Sequence, residues 1–106
     1  RVAWFDFDDL CAKPLGAADY LAIATHYDVV LLDGVPTLNA DRRNEARRFM
    51  TLIDELYEHK VTTIIAAADK AERLYPAGDG AFEFERTVSR LNEMQSVEYL
   101  TRPHLT

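Results

Sequence analysis

The chain has 106 residues, 48% of them hydrophobic, which suits one domain with a core of its own. A formal net charge of −6 argues against a nucleic-acid backbone or an anionic membrane surface as the main partner. Cys11 is the only cysteine, which excludes an internal disulfide and a CxxC-type zinc site, and no apolar run approaches the ~18 residues of a membrane span.

Residues 2–7, VAWFDF, alternate: Ala3, Phe5 and Phe7 face one way, Trp4 and Asp6 the other, predicting a strand with one drier face. The sequence opens on Arg1 directly into this strand, with no signal peptide, and this predicts a fragment of a longer polypeptide. Pro14 and Gly16 mark a loop, and Tyr20, Ile23, Ala24 and Tyr27 fall at helical spacing over 18–27. VVLLD, 29–33, reads as a strand buried on both faces and ended by Gly34 and Pro36.

Asn39 is placed to cap a helix, and Ala46, Phe49, Met50, Ile53, Leu56 and Tyr57 trace its apolar stripe as far as about Lys60. Arg43, Arg47, Asp54 and Glu58 lie mostly off that stripe. VTTIIAA, 61–67, reads as a third buried strand, AERLY, 71–75, as a helical turn closed by Pro76, and Gly78 and Gly80 as a loop. A helix over 82–95 turns Phe84, Val88, Leu91 and Met94 inward, and Ser96 is placed to cap a last short turn before a fraying tail over 102–106. The order β-α-β-α-β predicts an α/β fold: a three-stranded, mainly parallel sheet with right-handed crossover helices and additional C-terminal helices.

Asp6, Asp8 and Asp9 crowd the end of the first strand. Asp6-Phe7-Asp8 has the DxD spacing of haloacid-dehalogenase-type phosphatases, where one carboxylate attacks phosphorus, the other acts as acid/base, a lysine balances charge and further acids hold magnesium. Strand two ends in Asp33-Gly34 without the expected Ser or Thr, and only Asp69-Lys70 follows strand three. The plainer reading leaves Asp6 in water and makes Asp8 or Asp9 a cap of the following turn. A response-regulator receiver fails on spacing, because only three strands are evident.

VVLLD is similar to a Walker B strand, yet Gly34 stands where a catalytic glutamate usually follows, and the glycines at 16, 34, 78 and 80 cannot supply GxxxxGK[ST]. His26, His59 and His104 form no HxH or HxxxH pattern and read as surface residues; Cys11 reads as a small buried apolar group. Arginine outnumbers lysine nine to three, with Arg42, Arg43, Arg47 and Arg48 clustered. Arg86 and Arg90, four apart, share one helical face, with Glu83, Glu85 and Glu93 near enough to offset them. Such arginines are either solvated ion pairs or a clamp for phosphate or carboxylate.

WFDFDDLC, PLGAADYLAIA, ARRFMTLIDELY and FEFERTVSRLNEMQSVEYL together resemble the ATPase-family-gene-1-like family of AAA+ ATPases, over essentially the whole chain. The resemblance implies a single domain over 1–106, the C-terminal part of a larger P-loop ATPase beyond its Walker segments. It implies a regulatory or lid-like role in an ATP hydrolase, which uses ATP and Mg2+ in the full-length protein, with neither expected on this stretch alone. The implied partners are the upstream ATPase core of the same chain, further copies in a self-associated assembly, and division or quality-control machinery. The setting is cytoplasmic for a bacterial member and mitochondrial for a eukaryotic one. By the same resemblance Arg90, then Arg86, is the expected nucleotide sensor, and Arg47, Arg48 and Arg43 are expected to serve interactions. Two alternatives stay open: a stand-alone Mg-dependent phosphohydrolase on Asp6 and Asp8, and a non-catalytic interaction module that docks through the arginines of the long helix.

Overall fold

Alternating residues in β1 (Val2–Asp6) send Ala3 and Phe5 towards the helices and Val2 and Trp4 to the opposite side. The structure, a computed structural model, describes residues 1–95. β1 pairs in parallel with β2 (Val29–Val35), and β2 in parallel with β3 (Thr62–Ala67), in the order β1-β2-β3. Trp4, Leu31 and Ile64 fall in one row across the three strands, and Val2, Val29 and Thr62 in another. The α/β class and the parallel sheet are as the element order predicts.

α1 (Phe7–Cys11) follows β1 without a break, a helix that the alternating pattern concealed. Phe7 continues the alternation because its ring still enters the core from the first helical turn. The expected cap at Asp8 or Asp9 is corrected: both lie inside that turn, where their charges favour the positive end of the helix, and Asp6 holds the N-cap position without a side-chain bond.

α2 (Ala17–His26) carries the chain from β1 to β2, with Tyr20 and Ala24 buried, and the Asp19 carboxylate accepts from the Gly16 N–H at its start. After β2, Asn39 caps a 3-10 turn, Ala40–Arg42, by accepting from the Asp41 N–H. α3 (Arg43–Glu58) then returns the chain to β3, burying Ala46, Phe49, Leu52, Ile53 and Leu56. Its end is a Schellman motif: the Val61 N–H bonds the Leu56 carbonyl and the Lys60 N–H the Tyr57 carbonyl, with Lys60 at φ 57 and Leu56 and Val61 both buried. A second 3-10 turn, Ala71–Arg73, delivers Leu74 and Tyr75 to the core, and α4 (Ala81–Glu93) packs on α3 through Phe84 and Leu91. Aromatic rings join the layers: Phe7 to Phe49 at 6.0 Å, Phe49 to Phe84 at 6.1 Å, and Phe84 to Tyr75 at 5.7 Å between centroids. The expected Ser96 turn and the tail lie outside the described residues.

The expectation that strands two and three are buried on both faces is corrected. Val30, Leu32 and Val35 are buried and Phe5 and Ile65 pack beside them, all towards the helices. On the opposite face Trp4 is 71% exposed and Ile64 55%. Two right-handed crossovers running the same way along a sheet put both helices on one side. β2 also runs past its expected end to Val35, with Gly34 at φ 71 where the pairing with β3 shifts between Leu32 and Val35.

Candidate functional site

Arg86 and Arg90 of α4 meet acids of α3 where the two helices pack. Arg86 and Arg90 are one turn apart on α4; Asp54 and Glu58 are one turn apart on α3. The two ladders interlock. Arg90 donates to Asp54 Oδ1 at 2.5 Å and to Glu58 Oε1 at 3.5 Å, and Arg86 donates to Asp54 Oδ2 at 2.8 Å. The Arg90 guanidinium also lies 4.7 Å above the Tyr57 ring, while the Tyr57 hydroxyl donates to Glu93. That hydrogen bond raises the Tyr57 pKa, because the Glu93 carboxylate is best served by a hydroxyl that keeps its proton.

The acids expected to offset Arg86 and Arg90 were Glu83, Glu85 and Glu93, all on their own helix. The ion pairs found run instead to Asp54 and Glu58 on the facing helix. Spacing within a helix was legible; which acid of another helix would lie opposite was not. Asp54 is therefore the residue that the sequence reading missed, and its only signal was the matching i, i+4 spacing of Asp54 and Glu58.

The two arginines differ. Arg90 is 22% exposed and held on three sides; Arg86 is 62% exposed with one partner, so its ion pair is weak and easily exchanged. Arg86 also lines an open cleft of about 320 Å3 with Arg47, Asp54, Asp79, Gly80 and Glu83. Arg47 faces Asp79 there at 3.8 Å, so the cleft carries both signs of charge. A group with exchangeable anionic oxygens would compete with Asp54 and Asp79 for these guanidinium groups.

Arg47, Arg48 and Arg43 all lie on the first turns of α3, in different surroundings. Arg47 and Arg48 line a second cleft of about 370 Å3, beside Asn44, Thr51 and the start of α2. Arg48 is half-buried and donates to the Cys11 carbonyl at 3.0 Å, closing the C-terminal end of α1. Tyr20 does the same for the Leu10 carbonyl at 2.6 Å. Arg43 is exposed at the first position of α3, against the positive end of the helix.

Asp6 ends β1 in register with Asp33 on β2, and the Asp33 carboxylate accepts from the Gly34 N–H; Asp8 sits on α1. Among the described residues, no three side chains of His, Cys, Asp or Glu gather as a metal-holding group. Cys11 is buried, as expected, and burial pushes its thiol up to about 12, against its use as a nucleophile. His26 is exposed beside Arg1 and His59 lies near Glu55; His104 is outside the described residues. No described helix is long and apolar enough to cross a membrane.

A parallel α/β unit whose crossover helices lie on one face, seamed to a further helix by paired arginines and acids, defines the class at the level of fold. The model of the AFG1-like ATPase family matches residues 1–103, and the chain belongs to that family. It is 40% identical over 99 residues to the cell division protein ZapE of Escherichia coli K12, covering 93% of this chain and 26% of that protein. It is 35% identical over 130 aligned positions to lactation elevated protein 1 homolog B of Danio rerio, covering 92% of this chain and 26% of that protein. The chain thus spans about a quarter of the length of the curated relatives it matches. No solved structure is significantly similar to it.

Proposed function

We propose that this chain is the regulatory, lid-like C-terminal part of an AAA+-type ATP hydrolase, whose complete polypeptide binds ATP and Mg2+ through a phosphate cradle outside this stretch. Family membership over residues 1–103 supports the ATPase assignment. The observation that carries the lid role is the sharing of Asp54 by Arg86 and Arg90. Arg90 is the fixed member, which locks α4 to α3. Arg86, at the cleft rim, is the exchangeable member, able to leave Asp54 for the terminal phosphates of a nucleotide and so report its state through α4. The geometry thus favours Arg86 for the touching role and Arg90 for positioning.

Arg47 at the cleft and Arg43 on the exposed face are the proposed subunit or partner contacts. The proposed cellular setting is division machinery, as the name of the Escherichia coli relative indicates, or, from the family resemblance alone, organellar quality control in a eukaryote.

ATP turnover by the full-length polypeptide tests the reading. Arg86→Ala and Arg90→Ala are each expected to lower it about tenfold or more with the helical content unchanged. Wild-type turnover in both variants removes the pair from nucleotide sensing.

A further inference from the structure

Parallel sheets occur almost only with both faces covered, because their strands are apolar on both sides. Here α2 and α3 cover one face only. The other presents an apolar row, Trp4–Leu31–Ile64, beside a row of Val2 and Val29 that ends in Thr62, with Val2 65%, Trp4 71% and Ile64 55% exposed. A Trp, a Val and an Ile exposed together on one flat face make a contiguous apolar surface of the kind that marks an interface. Beyond these rows, at the carboxyl end of β1 and β2, Asp6 and Asp33 lie side by side in register. The face is therefore apolar over most of its length and acidic at one end.

We propose that this face is the docking surface for a helical layer supplied by the part of the parent polypeptide outside this stretch. Each matched relative keeps about three-quarters of its length outside the aligned region, ample for such a layer. A helix lies well on a twisted parallel sheet, whereas a second copy would have to set one sheet against another. The occupant is an amphipathic helix whose apolar stripe crosses Trp4, Leu31 and Ile64 and whose basic residues meet Asp6 and Asp33. The inference rests on the proposed function only in taking this stretch as part of a larger ATPase polypeptide, whose nucleotide-binding core would supply the cover; the need for a cover follows from the sheet itself.

The test uses the polypeptide as the cell makes it. Hydroxyl-radical footprinting reads Trp4 in the unaltered protein, and alkylation reads an Ile64→Cys variant against a Glu85→Cys variant, whose site is exposed on α4. The inference expects oxidation of Trp4, and alkylation of the thiol introduced by Ile64→Cys, to be slowed about tenfold or more, independently of protein concentration. Full reactivity at both positions overturns it. Protection that appears only with rising concentration assigns the face to a second copy, protection lost on deleting residues 96–106 assigns it to the tail, and protection gained only with lipid vesicles assigns it to a membrane; each of these also overturns it. ATP turnover measured on the same samples separates the two readings. Protection without turnover leaves the docking surface standing and sinks the ATPase function; turnover without protection does the reverse.

Discussion

Arg48 on α3 donates to the carbonyl of Cys11, the last residue of α1, at 3.0 Å across 37 positions of sequence. With the Tyr20 hydroxyl on the Leu10 carbonyl, it satisfies backbone oxygens that the short helix leaves without an internal partner. Arg48→Ala is expected to cost about 1.5–3 kcal/mol, because it removes a charged donor and leaves a buried acceptor unmet. Urea unfolding checks it, and Arg48→Lys is expected to restore part of the loss. Equal midpoints for wild type and Arg48→Ala would show that water replaces the bond.

Burial holds the Cys11 thiol and the Tyr20 hydroxyl neutral: the first is pushed from 9.0 to about 12 and the second from 10.0 to about 12. The unfolded chain ionises these groups near their ordinary values, so the stability they contribute is complete below pH 9.0 and is lost as pH climbs towards about 12. Thermal midpoints are expected to fall steadily through that window. Tyr20→Phe is expected to lower stability by about 1 kcal/mol at neutral pH through the lost bond, yet to flatten the alkaline decline. A variant that declines as steeply as wild type would remove Tyr20 as a cause.

The Asp54 seam predicts unequal losses. Arg86→Ala is expected to change stability by no more than about 0.5 kcal/mol, since its ion pair is solvent-exposed. Arg90→Ala removes two acid contacts and the stacking on Tyr57, and about 1–3 kcal/mol is expected. Asp54→Ala leaves Arg90 with Glu58 and Tyr57 alone and should approach the Arg90→Ala loss. A double-mutant cycle between Asp54 and Arg90 isolates their coupling, and a coupling near zero would show that this ion pair does not hold the seam.

Two glycines provide contrasting outcomes. A Cβ on Gly78 would meet the Tyr75 Oη at 2.9 Å and the Ala40 Cα at 3.3 Å, at φ +124, so Gly78→Ala is expected to cost about 1–3 kcal/mol. Gly16, the N-cap of α2, has extended backbone at φ −137 with nothing within 4 Å of such an atom, so the gain in chain rigidity and the loss of N-cap preference offset and Gly16→Ala is expected to stay within about 0.5 kcal/mol of neutral. Thermal denaturation of the two variants side by side decides it; similar midpoints would contradict both assignments.

Lys60 holds the left-handed position that ends α3, where glycine carries no Cβ penalty. Lys60→Gly is expected to stabilise by up to about 1 kcal/mol, offset in part by loss of the ammonium 4.4 Å above the Tyr57 ring. A destabilised variant would mean that the cation–aromatic contact outweighs the backbone strain.

Periodicity by itself determined the order of the three strands and their crossover helices, the parallel α/β class and most of the core. The alternation of Ala3 and Phe5, the stripe from Ala46 to Leu56 and the inward set Phe84, Leu91 and Met94 are local patterns, written within a few turns of chain. The short α1 was hidden because Phe7 satisfies strand alternation and helix burial alike. Apolarity of VVLLD and TTIIAA said that both sheet faces want cover, but only the tertiary arrangement showed that the two crossovers use one face and leave Trp4 and Ile64 outward. Likewise Arg86 and Arg90 were visible as a pair, while Asp54 as their shared partner, and Cys11 as the target of Arg48, are relationships across more than thirty positions. Such contacts depend on how two helices are docked, a choice made by the packing of the whole core rather than by the residues on either side of the contact.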